Sequence, residues 1–275
     1  GNAGVSVINN GTTSSPKFTS SNGTLTFNLS GTNTYGYGAF QLNGNGTLNA
    51  TSTGNIVING TSGANIVLTG DSVITTGVGC LTINSPISSR IVGGLPVGQV
   101  LTLVTDSGNT IINGNFSGGA SSIILNGTGN LTLTGANNSY SGNTTINGGN
   151  FTISGAGALG NGSYAGTIIN NGSFYYNSSA NQVLSGNISG NGGITQNGSG
   201  NLTLSGANNS YAGNTTINSG NLIIGGAGTL GNGSYAGAII DNGTFIYNSS
   251  AAQTLSGNIS GNGSLTKGNS GVLTL

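Results

Sequence analysis

Two tandem copies of one 71-residue segment fill most of the second half of the chain. Residues 129–199 and 200–270 align without a gap, and 53 of their 71 positions are identical. A third copy begins at Gly271, so that residues 271–275 read GVLTL. Residues 1–128 have the same style of sequence without the close repetition. Such self-similarity is typical of architectures in which like units stack upon each other.

A shorter step lies inside each copy, and consists of a Gly-rich turn followed by alternating apolar and polar residues. The first apolar residues of successive steps are Phe151, Phe174, Ile194 and Leu222. Alternation with period two predicts strands with one buried face. Each step has room for two or three short strands, and a single coil of that size cannot bury its own apolar face. Stacked coils would share a core.

These periods predict an all-β fold, a parallel β-helix (β-solenoid) of about eleven or twelve coils at ~24 residues per coil. We expect one continuous solenoid, made of an irregular part at 1–128, copies at 129–199 and 200–270, and the start of a third copy at 271–275. Equivalent residues of the two copies should occupy equivalent places three coils along. A β-sandwich or barrel has similar strand spacing and is the alternative.

The alternation also predicts which side chains line the core. The inward residues of the repeated strands are Leu131, Leu133, Phe151, Ile153, Phe174, Tyr176, Leu202, Leu204, Leu222 and Ile224.

The near absence of charge excludes several classes of function. Charged residues make up 2% of the chain, with three Lys or Arg, three Asp or Glu, and no His. Lys17, Arg90 and Lys267 are far apart in sequence, so they do not form the basic cluster that nucleic-acid binding requires. No run approaches the ~18 apolar residues of a membrane helix, so we expect no membrane insertion of this segment. The single cysteine, Cys80, allows no internal disulfide and is expected to be buried.

Chemistry-bearing residues are equally scarce. General acid–base catalysis needs a titratable group near neutral pH, and the only acidic residues are Asp71, Asp106 and Asp241, which are widely separated. Calcium sites usually contain several carboxylates. We therefore predict no catalytic, cofactor-binding or metal-binding residue, and we expect that the chain is not an enzyme.

The start of each copy resembles a known repeat. GNLTLTGANNSYSGNTTINGGNFTI at 129–153 and GNLTLSGANNSYAGNTTINSGNLII at 200–224 resemble the autotransporter-associated β-strand repeat. In the first copy the resemblance is carried by Gly129, Leu131, Leu133, Gly135, Asn137, Tyr140, Gly142, Thr144, Ile146, Gly149 and Phe151. It implies a right-handed β-helix of the passenger type, in a bacterial protein that is secreted or held at the cell surface. It implies little about activity.

Tyrosines recur with the repeat. Tyr140 and Tyr164 of the first copy correspond to Tyr211 and Tyr235 of the second. On one outer face they would form an aromatic ladder that could stack on sugars or anchor a partner. The alternative is that the rings cap turns or fill the core.

The ends of the chain suggest a second candidate surface. Val272, Leu273 and Leu275 would form the last strand, and an uncovered strand edge invites pairing with another strand. Val5, Val7 and Ile8 offer an apolar first coil that could stack on it. Continuation of a longer parent chain is the alternative.

Together these features predict a secreted cell-surface structural or adhesive module without catalytic activity. Its expected partners are other copies or a neighbouring surface protein, glycans, or a receptor on a host or other cell. The alternative is a self-assembling subunit of an extracellular filament or sheath, which stacks end to end through open solenoid edges.

Overall fold

The computed structural model describes residues 8–9, 24–29, 40–42, 47–50, 53–60, 65–68, 70–89 and 98–275. Val5 and Val7 lie outside these residues. The chain divides into two compact units, Gly1–Gly142 (unit 1) and Asn143–Leu275 (unit 2), and each is described by itself.

Short strands are the dominant elements of both units. The strands of unit 1 are β1 (Ile8–Asn9), β2 (Thr24–Leu29), β3 (Phe40–Leu42), β4 (Thr47–Ala50), β5 (Asn55–Gly60), β6 (Ile66–Leu68), β7 (Ser72–Thr76), β8 (Leu81–Ile83), β9 (Ile87–Ser89), β10 (Val100–Thr105), β11 (Asn109–Ile112), β12 (Phe116–Ser117), β13 (Ser122–Gly127) and β14 (Asn130–Leu133). Those of unit 2 are β15 (Thr144–Ile146), β16 (Asn150–Gly155), β17 (Ser163–Tyr164), β18 (Ile168–Asn170), β19 (Ser173–Ser178), β20 (Gln182–Leu184), β21 (Ile188–Ser189), β22 (Gly193–Gln196), β23 (Leu202–Leu204), β24 (Thr215–Ile217), β25 (Asn221–Gly226), β26 (Ser234–Tyr235), β27 (Ile239–Asp241), β28 (Thr244–Ser249), β29 (Gln253–Leu255), β30 (Ile259–Ser260), β31 (Ser264–Lys267) and β32 (Leu273–Thr274).

Unit 1 is a stack of coils in which strands of successive coils pair in parallel. Its three sheets are β1-β3-β6-β9-β12, β4-β7-β10-β13 and β2-β5-β8-β11-β14. The coils of this unit differ in length. A long coil separates Leu25 from its partner Ile56, whereas a much shorter one separates Thr110 from its partner Leu131. This variation explains why the sequence of this part shows no exact repeat.

Unit 2 is a more regular stack with three faces. The first face contains β15-β18-β21, the second β16-β19-β22-β24-β27-β30 and the third β17-β20-β23-β25-β28-β31. In the last coils, the strand that follows each third-face strand belongs to a separate parallel sheet, β26-β29-β32. The parallel pairing and the stacking confirm the prediction of an all-β solenoid. The described residues form about ten coils, slightly fewer than predicted because several coils of unit 1 are longer than the step that the repeat suggested. The right-handed sense of the coil stays a prediction.

Inward residues of the strands form the core. All ten residues that the alternation predicted to be inward are at most 1% exposed. The burial pattern of β16, in which inward and outward residues alternate, shows how the period-two sequence produces a core only one side chain deep from each strand. The predicted register of these strands is therefore confirmed.

The two sequence copies are rotated relative to one another within unit 2. Strand β15 lies on the first face, but its counterpart in the second copy, β24, lies on the second face. In the same way β16 of the second face corresponds to β25 of the third. Each copy therefore advances three coils and one further face. The prediction that equivalent residues lie three coils along is therefore wrong by that one face. The second copy contains nine strands, β23–β31, and the isolated parallel bridge between Asn209 and Leu230 occupies a tenth position between β23 and β24.

Candidate functional site

The four repeated tyrosines are core residues. Tyr140 is 0% exposed, and Tyr164, Tyr211 and Tyr235 are each 1% exposed. The prediction of a surface aromatic ladder is therefore wrong, and its alternative, that the rings fill the core, is correct. The sequence could not separate the two, because a bulky ring at a turn can point to either side of the backbone.

The hydroxyl groups of three of these tyrosines are satisfied by threonines that also point inward. The Thr215 hydroxyl lies 2.8 Å from the Tyr211 hydroxyl and 2.9 Å from the Tyr235 hydroxyl, and the Thr144 hydroxyl lies 2.8 Å from the Tyr164 hydroxyl. Desolvation raises the pKa of Tyr211 well above its ordinary value, and the neighbouring Tyr235 raises it further. Such rings support the fold and are inaccessible to a partner.

The predicted assembly edge is exposed at its C-terminal side. Val272 is 64% and Leu275 is 71% exposed, and Leu273 is partly exposed. Strand β32 pairs with β29 through Gln253 and Leu273. Ile8 lies in the short strand β1, whose partner is β3, whereas the other two residues of the predicted N-terminal edge, Val5 and Val7, lie outside the described residues.

The titratable residues are dispersed in the structure as well. The Asp71 carboxylate accepts a hydrogen bond of 2.8 Å from the Val100 amide, Asp106 is exposed, and Asp241 is buried. Within the described part of the chain, no three His, Cys, Asp or Glu side chains lie close enough together to hold a metal ion. Cys80 is a half-buried free thiol, more exposed than expected.

An outward column of side chains on the second face of unit 2 is the surface that the sequence did not reveal. Register pairs Thr152 with Tyr175, Tyr175 with Thr195, and Thr195 with Thr216. We call these four residues the tyrosine column. Tyr175 is half-buried between its neighbours, whereas Tyr176, next to it in the chain, is in the core. This alternation was the signal that could have separated an outward from an inward tyrosine.

An amide ladder runs beside the tyrosine column. It consists of Asn177, Asn197 and Asn218, each of which follows a column residue by two positions and therefore shares its face. The Asn197 amide donates to Asn177 Oδ1 at 2.8 Å, and the Asn218 amide donates to Asn197 Oδ1 at 2.7 Å. Each ladder amide retains donor and acceptor capacity, because an amide side chain offers two N–H groups and two lone pairs.

This surface is free of charge. The only charged side chains of unit 2 are Asp241 and Lys267, and neither belongs to the tyrosine column or the amide ladder. Hydroxyl groups, amides and one phenol ring are therefore the chemical groups that it presents.

Parallel strands stacked coil upon coil define the class of protein as a β-solenoid. Residues 123–153 and 194–224 match the passenger-associated-transport-repeat, so the chain carries two copies of an autotransporter passenger repeat. This confirms the family resemblance read from the sequence and fits an autotransporter passenger domain, a kind of protein that bacteria secrete or hold at their surface. Comparisons with curated proteins and with solved structures give no match. In the described residues, no helix is long and apolar enough to cross a membrane.

Proposed function

We propose that this chain is a structural and adhesive section of a passenger domain, without catalytic activity, which binds neutral glycans at the cell surface through the second face of unit 2. The observation that carries the proposal is the tyrosine column with its amide ladder. The repeat family and the solenoid fold support the passenger setting, and the outward chemistry of the second face supports the ligand class.

The composition of this face matches the chemistry of a neutral sugar. A sugar presents hydroxyl groups, which pair with amides and hydroxyls, and apolar C–H faces, which pack on an aromatic ring such as that of Tyr175. A ligand with many charges would find no partner here, because the one charged residue in the strands of this face, Asp241, is buried. Strands repeat at ~4.8 Å along the axis, so an extended polysaccharide could contact several coils at once.

Binding to a glycan array of neutral and acidic polysaccharides tests the proposal. The wild-type chain should retain neutral glycans, and Tyr175→Ala should reduce that retention about tenfold, the effect of losing ~1.4 kcal/mol. The matched control is Ile246→Ala, because Ile246 is the counterpart of Tyr175 in the second copy and points outward from the third face. This control should bind like the wild type.

Two results would contradict the proposal. Absence of retention on every neutral glycan would remove adhesion of this kind, and equal losses in the two variants would remove the second face as its site. The far-UV circular dichroism of both variants should match the wild type, since both residues point away from the core. Turnover of the same polysaccharides by the wild-type chain would contradict the non-catalytic role.

A self-assembling filament subunit that stacks end to end is the second candidate. Val272 and Leu275 are among the most exposed apolar residues, and Leu265 in β31 is also exposed. A coil of another copy stacked here would cover all three. Light scattering and electron microscopy of the purified chain separate the candidates: concentration-dependent fibres support the filament, and a monomer at high concentration contradicts it.

A further inference from the structure

Equivalent corners of the two copies differ in one reactive respect. The first copy reads Asn170-Asn171-Gly172, and the second reads Asp241-Asn242-Gly243. Each corner joins a strand, β18 or β27, to the next strand of the coil. The second copy thus places a carboxylate where the first has an amide, just before an Asn-Gly pair.

In the second copy the Asp241 carboxylate accepts a hydrogen bond from the backbone amide of Gly243, the residue after Asn242. The Gly243 N–H donates to Asp241 Oδ1 at 3.0 Å. Asp241 is only 5% exposed. Desolvation raises the pKa of Asp241, against the opposing effect of hydrogen bonds from the Gly243 and Phe245 backbone. A carboxylate with a raised pKa is a stronger base, and this one already accepts the proton of the Gly243 amide in a hydrogen bond.

The side-chain carbonyl of Asn242 is polarised by the next coil. The Asn262 N–H donates to Asn242 Oδ1 at 3.3 Å, so a donor already faces the oxygen on which negative charge would develop during attack at Cγ. The nucleophile and the electrophile of a ring closure are therefore each held by a suitable partner.

We propose that Asn242-Gly243 is a self-modification site, at which Asp241 acts as general base for intramolecular deamidation of Asn242. The Gly243 nitrogen attacks Cγ of Asn242, and its proton passes through the Asp241 carboxylate to Nδ2. The new N–Cγ bond closes a five-membered succinimide as the Cγ–Nδ2 bond breaks and ammonia leaves. Water then opens either imide bond and gives aspartate or isoaspartate. One water enters, one ammonia leaves, and nothing is oxidised or reduced.

The first copy provides the internal reference. Asn171 Oδ1 accepts from the Asn191 N–H at 3.2 Å, so its carbonyl is polarised in the same way. The residue in the place of the base is Asn170, whose amide donates to the Gly193 carbonyl and whose Oδ1 has no hydrogen-bond partner among the described groups. A neutral amide cannot take the proton, so only the second copy has both halves of the arrangement.

The modification would change the corner where it occurs. An isoaspartate inserts one carbon into the backbone between β27 and β28, and either product adds a negative charge to an outer surface that has almost none. The reaction goes beyond the proposed adhesive role and does not depend on it.

Peptide mapping of the aged protein tests the proposal. The folded chain is incubated at neutral pH and cleaved with chymotrypsin, which can release AGTIINNGSF (165–174) and AGAIIDNGTF (236–245). Mass spectrometry then measures deamidation of Asn171 and Asn242 in the same sample. Since a well-placed general base contributes ~10²–10⁴-fold and this one is a weak base, we expect Asn242 to react at least about tenfold faster.

Reciprocal variants make the test decisive. Asp241→Asn restores the residue of the first copy and should lower the Asn242 rate to that of Asn171, whereas Asn170→Asp should raise the Asn171 rate. Equal rates at the two sites of the wild type, or an unchanged rate in Asp241→Asn, would overturn the proposal. The same holds if the excess at Asn242 persists undiminished in denaturant, because the cause would then be local sequence rather than the folded geometry.

Discussion

At the scale of single residues, the core of this protein is unusual for the hydroxyl groups it contains. Six tyrosines are among the largest fully buried side chains, and their hydroxyls need partners because an unpaired buried polar group costs about 1–3 kcal/mol. The hydroxyl groups of Tyr176 and Tyr247 donate to the backbone carbonyls of Ala180 and Ala251 respectively. Inward threonines serve three of the other rings, and Thr215 alone contacts two of them.

Thr215→Val tests this hydroxyl network. The substitution keeps the shape of the side chain but leaves the Tyr211 hydroxyl without the partner it has at 2.8 Å, so we expect the free energy of unfolding to fall by about 1–3 kcal/mol. Chemical denaturation measures the change. Thr216→Val, one residue on and pointing outward, is the matched control and should stay within about 0.5 kcal/mol of the wild type; equal effects would mean that the network is not the cause.

Alkaline pH should destabilise the protein through Tyr211. Its pKa in the folded state is raised above the value of about 10 that it has when unfolded. The contribution of Tyr211 to the free energy of unfolding is therefore complete below pH ~10 and is lost as the pH rises through the folded-state pKa. Thermal melts between neutral and strongly alkaline pH should show this loss, and Tyr211→Phe should reduce its steepness. Thr216→Val, which changes an outward side chain without a titratable group, should not, and an identical pH profile for both variants would refute the assignment.

At the scale of the elements, corners decide how one strand leads to the next coil. Successive coils approach so closely at their corners that, at several glycines, a Cβ would clash with a backbone carbonyl of the preceding coil. Asparagine side chains complete these corners: the backbone N–H of Asn201 donates to Asn181 Oδ1 at 2.9 Å, for example. Turn chemistry and inter-coil hydrogen bonding are thus supplied by the same small residues, which explains the 55 glycines and 43 asparagines of the chain.

Gly190→Ala should be far more damaging than Gly226→Ala. Both glycines have positive φ, 105° and 61°, so either alanine pays about 1–2 kcal/mol for its backbone conformation. At Gly190 the new Cβ would in addition lie 2.2 Å from the Asn170 carbonyl oxygen, whereas at Gly226 the nearest atom is 3.6 Å away. We expect losses of more than about 3 kcal/mol and of about 1–2 kcal/mol respectively in chemical denaturation. Similar losses would show that inter-coil contact at Gly190 relaxes freely.

At the scale of the whole molecule, the most important feature is that the length of the sequence repeat does not equal a whole number of coils. Within unit 2 one sequence copy spans three coils and one face, so a motif that recurs in sequence appears on a different side of the stack. Tyr175 on the second face and its counterpart Ile246 on the third illustrate the result. A surface such as the tyrosine column is therefore not repeated along one side, and differences between copies become differences between faces.

Distances between spin labels test this rotation. In a Cys80→Ser background, labels at Thr152 and Thr216 should lie three coils apart on the second face, with backbones separated by ~14 Å at ~4.8 Å per coil. Labels at Thr152 and Ile223, which are equivalent in sequence, should be farther apart, because Ile223 lies on the third face. Dipolar broadening in continuous-wave spectra suits the closer pair, and double electron–electron resonance suits the wider one. A shorter distance for the second pair would mean that copies stack in line.

What the sequence determined by itself was the local structure. Period-two alternation identified the strands and all ten predicted core residues such as Phe151, because an inward position repeats identically whichever face it belongs to. The near absence of charge likewise followed from composition. The burial of Tyr140 and the face on which each copy lies were decided only by tertiary structure. Both depend on how many residues each corner contains. These numbers add up over whole coils and cannot be read from a single segment. One additional strand position per copy moves every following strand to the next face.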